Sequence, residues 1–230
     1  MTYRCVATSV AGFVQQLAVS YVANGYYFYV TGAIPDHKDP ARIDGKMVEQ
    51  YGIDQSKWTR CRRKRVGLAN VHYLRYGRFF VLIATRGEHS FYAGEAGQIR
   101  DIRRHPIHFG GYSIGCRQAK GQGKYHSSVR IDRAVFGEIK ANFEKIAVHQ
   151  TVEELYMKLR EIPYEPYAPV RDQLRIILRA INRRRRLAGL ELVPWNVLRL
   201  RRSPVRVFDD ENSNKLEPAE NSQSLRIEET

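Results

Sequence analysis

The sequence predicts an α+β fold: a small antiparallel sheet built from hairpins, then a helical C-terminal half and a disordered acidic tail. Three observations predict it. Aromatic and β-branched runs gather before Asp132 and pair around glycines. From Asp132 onward, capped segments with helical apolar spacing follow one another. The residues after Phe208 are rich in Asn, Ser and Glu and lack a hydrophobic pattern. Strands first and helices afterwards is the α+β order.

Each element follows from a local signal. Thr8 or Ser9 caps a first helix over about residues 9–23, which Asn24-Gly25 ends. Its apolar residues Val10, Phe13, Val14, Leu17 and Tyr21 fall at helical spacing, and Gln15-Gln16 interrupts the run, so it suits a core helix better than a leader peptide. YYFYVTGAI, 26–34, reads as a buried strand. Pro40 opens a second helix running to about Gly52, and Ser56 caps a third, SKWTRCRRKR. NVHYLRY and RFFVLIAT form a hairpin around Gly77. HFGGYSIGCR and KYHSSVRI form another, joined by the loop AKGQG. Asp132 starts a helix to about His149, and Thr151 with Glu154 makes a capping box for TVEELYMKLREI. PYEPYAP is a rigid bend too long for a tight helix-turn-helix, and a long helix follows from Pro169 to Leu187, closed by Gly189. Organisation is expected in three parts: an α+β domain over 1–150, a helical basic extension over 151–208 packed on it, and a disordered tail over 209–230.

Charge narrows the function. The chain has 230 residues, 43% of them hydrophobic, enough for a real core. Lys+Arg number 38 against 24 Asp+Glu, a net of +14. Residues 209–230 hold seven acids and two bases, a net of −5, so residues 1–208 carry +19. A folded body with that excess repels itself unless it meets a polyanion. Nucleic acid is the first candidate partner and an anionic membrane surface the second; no run approaches transmembrane length, so no membrane is expected. Cys5, Cys61 and Cys116 form no CxxC pair, which excludes a cysteine zinc site and a disulfide framework and suggests a reducing, cytoplasmic or nucleoid-associated setting.

The strongest single signal is the last long helix. Arg171, Arg175, Arg179 and Arg183 recur every four residues, and Arg186 continues the row. Val170, Leu174, Ile177 and Ile181 form the neighbouring apolar stripe. One face should bury while a ridge of guanidiniums stands beside it. Four-residue steps advance ~6 Å along a helix axis, close to the phosphate spacing of an extended strand. Asp172 alone cannot neutralise that row. Three more basic blocks accompany it: Arg60, Arg62, Arg63, Lys64 and Arg65; Arg100, Arg103 and Arg104; and Arg199, Arg201, Arg202 and Arg206. Trp58, Tyr112 and Trp195 lie among them, and aromatic faces beside arginines can stack bases. The leading reading is therefore a nucleic-acid-binding protein, for DNA or RNA, of the DNA-handling or mobile-element accessory kind. An RNA-binding subunit of a ribonucleoprotein fits the same residues.

A second class of reading is catalytic. His105 and His108 flank Pro106-Ile107 and are candidate metal ligands, although three-residue spacing on a strand sends side chains to opposite faces. Glu88, His89, Glu95 and Asp101 fall within fourteen positions around Gly87, Gly94 and Gly97. Carboxylates with a histidine could hold Mg²⁺ or Mn²⁺ for phosphodiester cleavage. In outline the chain resembles the single-strand nicking endonucleases of rolling-circle replication and transposition. It shares their α+β order, a near-match to their His-hydrophobic-His pair in His105-Pro106-Ile107-His108, and Tyr156 on a later helix with Lys158 nearby. The histidine spacing departs from that pattern by one residue, and the proline disturbs the strand that should carry both ligands. The resemblance implies a metal-dependent nickase built on the 87–108 region, with His105, His108, Glu95 and Tyr156 as its catalytic candidates.

Overall fold

The computed structural model describes residues 3–118, 121, 123–203 and 205–209. The expected acidic tail lies outside them except for Asp209, as does most of the AKGQG loop. The fold is α+β, with antiparallel sheets made of hairpins and the longer helices behind them.

Ser9 caps α1 (Val10–Gln15), its side chain accepting from the Gly12 amide. The helix then widens into π-type turns over Gln16–Tyr21, tightens over Val22–Asn24 and stops at Gly25, whose φ of 91° is left-handed. The pattern explains the widening. Phe13, Leu17 and Tyr21, with Val14, Ala18 and Val22 beside them, are all buried at strict four-residue intervals. On a 3.6-residue helix that interval drifts by about 40° per step, and the wider turns absorb the drift.

Strand β1 (Tyr26–Ala33) leads to α2 (Pro40–Gln50), capped by Asp39, and α3 (Lys57–Arg65), capped by Ser56. Strands β2 (Val71–Tyr76) and β3 (Phe79–Thr85) form the expected hairpin, turning at Gly77-Arg78. After the short helix α4 (Ser90–Gly94) comes β4 (Arg100–Asp101). These strands make one sheet in the order β2-β3-β1-β4. Val81 and Ile83 of β3 face the cluster under α1, whereas Leu82 and Ala84 face Tyr51, Ile53 and Phe91 on the other side. Burial on both faces is why RFFVLIAT reads as an unbroken apolar run.

A second sheet holds β5 (Ile107–Phe109), β6 (Tyr112–Gln118) and β7 (Tyr125–Ile131) in that order. Among the described residues the strands thus number seven in two sheets, where the sequence suggested about five in one. One of the two added strands is the short β4, and the other comes from HFGGYSIGCR, which is not one strand. Gly110 and Gly111, at φ 55° and 75°, turn the chain between β5 and β6. A side chain at Gly111 would run into the Tyr164 hydroxyl, so the turn also needs the close approach.

Asp132 caps α5 (Arg133–Ile146), and the Thr151–Glu154 capping box opens α6 (Val152–Arg160). The long α7 (Ala168–Leu187) packs with α5 and α6 in one apolar cluster that includes Ile131 of β7. Val170, Leu174, Ile177 and Ile181 are all buried, as the stripe predicted. Gln173 of α7 completes the outer edge of β7, accepting from the Ile131 amide at 2.8 Å and donating to its carbonyl at 2.9 Å. Beyond the turn at Trp195–Val197 the chain returns to the start of α1. There the Thr8 amide donates to Val207 O at 3.0 Å and Phe208 joins the first cluster.

Candidate nucleic-acid interface

Helix α3 is basic and lies in solvent. Lys57, Arg60, Arg62, Arg63, Lys64 and Arg65 occupy six of its nine positions, and it buries none of its residues. Polar bonds tether it instead. Asn70 Nδ2 donates to Arg60 O at 3.0 Å, and Arg63 NH2 donates to Ala69 O at 2.9 Å. Arg60 also reaches the Gln55 carbonyl. Arg62, Lys64 and Arg65 are exposed, and their side chains bond to no other described side chain or carbonyl. Trp58, on the same helix, is 77% exposed.

The α7 ridge divides in two. Toward its N-terminus Arg171 leans on Leu200 O at 3.5 Å, and Arg175 pairs with Asp172 at 2.8 Å. Toward its C-terminus Arg179 lies over the half-exposed ring of Trp195, 5.8 Å from its centroid. Arg183, Arg184 and Arg186 are exposed, and their side chains bond to no other described residue. Arg185 is different. It is 4% exposed and donates to the carbonyls of Ala147 at 2.8 Å and Gln150 at 2.7 Å, and to that of Glu191. The first two are carbonyls left open just past the end of α5, and the third follows the end of α7. Sequence reasoning missed this role, yet a signal existed: 185 is the next step of the stripe 174, 177/178, 181.

The other basic blocks separate likewise. Arg103 grips Asp101 with two hydrogen bonds of 2.6 and 2.9 Å and lies over the rings of Tyr27, Phe28 and Tyr125. Burial works against the Asp101 carboxylate, but Arg103 holds its pKa below the ordinary value. Arg103 is thus mainly structural, while Arg100 and Arg104 are exposed. Arg199 pairs with Glu165 at 2.7 Å. Arg202 stacks on Tyr167 at 4.2 Å and donates to Gln15 Oε1 at 2.6 Å, whereas the Arg201 side chain bonds to no other described residue. Of the interleaved aromatics, Tyr112 is a core residue.

Among the described residues no hydrogen bond or ion pair joins one catalytic candidate to another. His105 lies outside β5, and its carbonyl accepts from the Tyr29 hydroxyl at 3.0 Å. The His108 Nδ1 meets Asp132 Oδ2 at 2.6 Å. The Ala134 amide and His108 together lower the Asp132 pKa. Glu95 accepts from the Tyr51 hydroxyl at 2.5 Å; burial and that carboxylate push the Tyr51 pKa up to about 12. His89 spends its Nδ1 on the Phe91 amide as the cap of α4. Tyr156 packs on the α-helical cluster, and its hydroxyl accepts from Arg160. Among the described residues, no three His, Cys, Asp or Glu side chains are grouped to hold a metal ion.

No protein-family model, curated protein or solved structure is matched by this chain. Among the described residues, no helix is long and apolar enough to cross a membrane.

Proposed function

We propose that this protein binds nucleic acid through the phosphate backbone, with the C-terminal half of α7 as the main contact and α3 as a second. The observation that carries this reading is the set of exposed guanidiniums at 179, 183 and 186, none of which pairs with an acid among the described residues, with Arg179 lying over the half-exposed ring of Trp195. Helical steps of four and three residues space them by ~6 and ~4.5 Å, within reach of successive phosphates. Cations that gain phosphate partners release condensed counterions, so affinity falls steeply with salt. Trp195 and Trp58 offer stacking faces that only unpaired bases can use fully, which favours a single strand over a duplex.

The test is fluorescence anisotropy with labelled single-stranded and duplex DNA and RNA of one length, across a salt titration. Tighter binding of a single strand, with a steep log–log salt slope, is the expected result. Arg179→Glu with Arg183→Glu should weaken it at least tenfold. Affinity that is flat with salt, or unchanged in the double variant, overturns the proposal.

A further inference from the structure

The outer face of the second sheet carries a different feature, which does not rest on the interface proposed above. In the β6–β7 ladder Ser113 stands opposite Arg130 and Gly115 opposite Ser128. Directly opposed residues share a face, so these four lie together, and Arg117 continues the row two residues along β6. The alternate residues Ile114, Val129 and Ile131 point into the cores. With Pro106 these residues line a cleft of about 220 Å³. A water molecule takes ~30 Å³, so the cleft has room for an anion with part of its hydration.

Three properties of the lining point to one ligand chemistry. First, it has two guanidiniums and no carboxylate. Neither the Arg117 nor the Arg130 side chain has a hydrogen bond or ion pair with another described residue. They are close enough that, after burial, the charge of Arg117 is what lowers the Arg130 pKa. Like charges held together cost energy unless an anion sits between them. The nearest acid along the chain, Asp132, is already engaged by His108 and the Ala134 amide. Second, Ser128 is 7% exposed and its hydroxyl has no hydrogen-bond partner among the described residues. A buried hydroxyl left unpaired is unfavourable, and a ligand oxygen would satisfy it. Third, Gly115 leaves the floor open. A Cβ there would stand 3.5 Å from Pro106 and from Ile102 O, so it would occupy space without a clash.

We propose that this cleft binds a phosphate group, with Arg117 and Arg130 donating to its oxygens and Ser128 and Ser113 completing the contact. A tetrahedral oxyanion suits two planar donor forks and hydroxyls at different heights. Free phosphate and the terminal phosphate of a nucleotide strand present the same group, and the experiment separates them. Calorimetric titrations at constant ionic strength would use inorganic phosphate, a 5′-phosphorylated dinucleotide, and the same dinucleotide without its phosphate. We expect saturable one-to-one binding of inorganic phosphate, weakened at least tenfold in Arg130→Gln and in Arg117→Gln, and unchanged within twofold in Lys46→Gln, which removes equal charge from α2. Tighter binding of the phosphorylated dinucleotide, abolished without its phosphate, assigns the site to strand ends; equal or weaker binding assigns it to the free anion. Gly115→Ala, which needs no loss of fold, should also weaken binding. The absence of saturable phosphate binding, or equal weakening in Lys46→Gln, overturns the proposal.

Discussion

Helices α3 and α7 are both crowded with cations, yet α7 buries six side chains and α3 buries none. In α7 charge and structure are interleaved: Arg185 is inside, Arg171 and Arg175 are engaged, and the last turns present guanidiniums that pair with no acid among the described residues. In α3 the backbone is held by a cap and a few carbonyl bonds, and most of the charge is surplus. A helix of nine residues gains little stability from propensity alone. The difference teaches that basic density in a sequence is not one property. Part of it builds the protein, and the remainder is available to a partner.

The largest expected effect breaks the structural half of that comparison. Ile177→Ala or Leu174→Ala should cost ~2–5 kcal/mol, through reduced burial and a residual cavity. Arg185→Met should cost about 3 kcal/mol, because it strands the buried carbonyl of Ala147 at ~1–3 kcal/mol and removes the bonds to the partly buried carbonyls of Gln150 and Glu191 at about 1 kcal/mol or less each. Urea denaturation measures both. If Arg185→Met were as mild as Arg184→Met, Arg185 would belong with the surplus charge.

The next effect ties α3 to the core beneath it. His72 is buried, stacks on Tyr21 at 4.5 Å, and meets the Tyr3 hydroxyl at 3.0 Å. Burial, and then the charge of Arg60 on α3, lower its pKa from 6.5 to about 3. The folded protein therefore keeps His72 neutral while the unfolded chain takes up a proton below pH 6.5. Its contribution to stability is complete above that pH and declines as pH falls toward about 3, at ~1.4 kcal/mol per pH unit. His72→Phe preserves the stacking and cannot titrate, so its stability should decline less steeply between pH 6 and 4, compared in parallel denaturation series. Equal slopes would mean that His72 is protonated in the fold.

Much of this division was legible in the sequence, and the reasons it was not fully so are local. The register of α7 followed from its apolar stripe, and the Thr151–Glu154 box and the Gly77 hairpin announced themselves within four residues. Pairings across long separations left no such trace. The Asp132 that takes up His108 is 24 residues away, and the Thr8–Val207 pairing spans nearly the whole chain. The Gly110-Gly111 turn was hidden because Phe109 and Tyr112 flank it with strand-forming residues and no polar punctuation. Arg185 was hidden by composition: within RRRR only the helical phase marks the buried member.

A smaller effect on stability and a larger one on binding sharpen the surplus half. Arg62→Glu with Arg65→Glu in α3 should change stability by less than ~0.5 kcal/mol, since exposed charges contribute little, whereas Arg179→Glu with Arg183→Glu in α7 should cost about 0.5–1 kcal/mol, because it also removes the Arg179–Trp195 contact. Each should lower the salt slope by about one unit for every phosphate that is no longer neutralised. The α7 pair should act more strongly, because α7 is anchored by burial and presents its arginines in a fixed row. A larger effect from the α3 pair would reverse that order and make α3 the primary binding element.

The smallest expected effect concerns the two exposed tryptophans. Trp58 touches no core cluster, so Trp58→Ala should leave the urea midpoint essentially unchanged. Trp195 lies under Arg179, and removing that cation–π pair costs about 0.5–1 kcal/mol at an exposed site, so Trp195→Ala should be measurably milder than any core change. Binding should show the opposite pattern to stability. If bases stack on these rings, each substitution should weaken single-stranded binding by ~1 kcal/mol or more without altering the salt slope, because stacking releases no counterion. Quenching of Trp fluorescence on titration with unlabelled oligonucleotide reports the stacking directly, and with two tryptophans in the chain each single variant isolates the other ring. Quenching retained in Trp195→Ala and absent in Trp58→Ala would place the bases on α3 and leave α7 to the backbone alone.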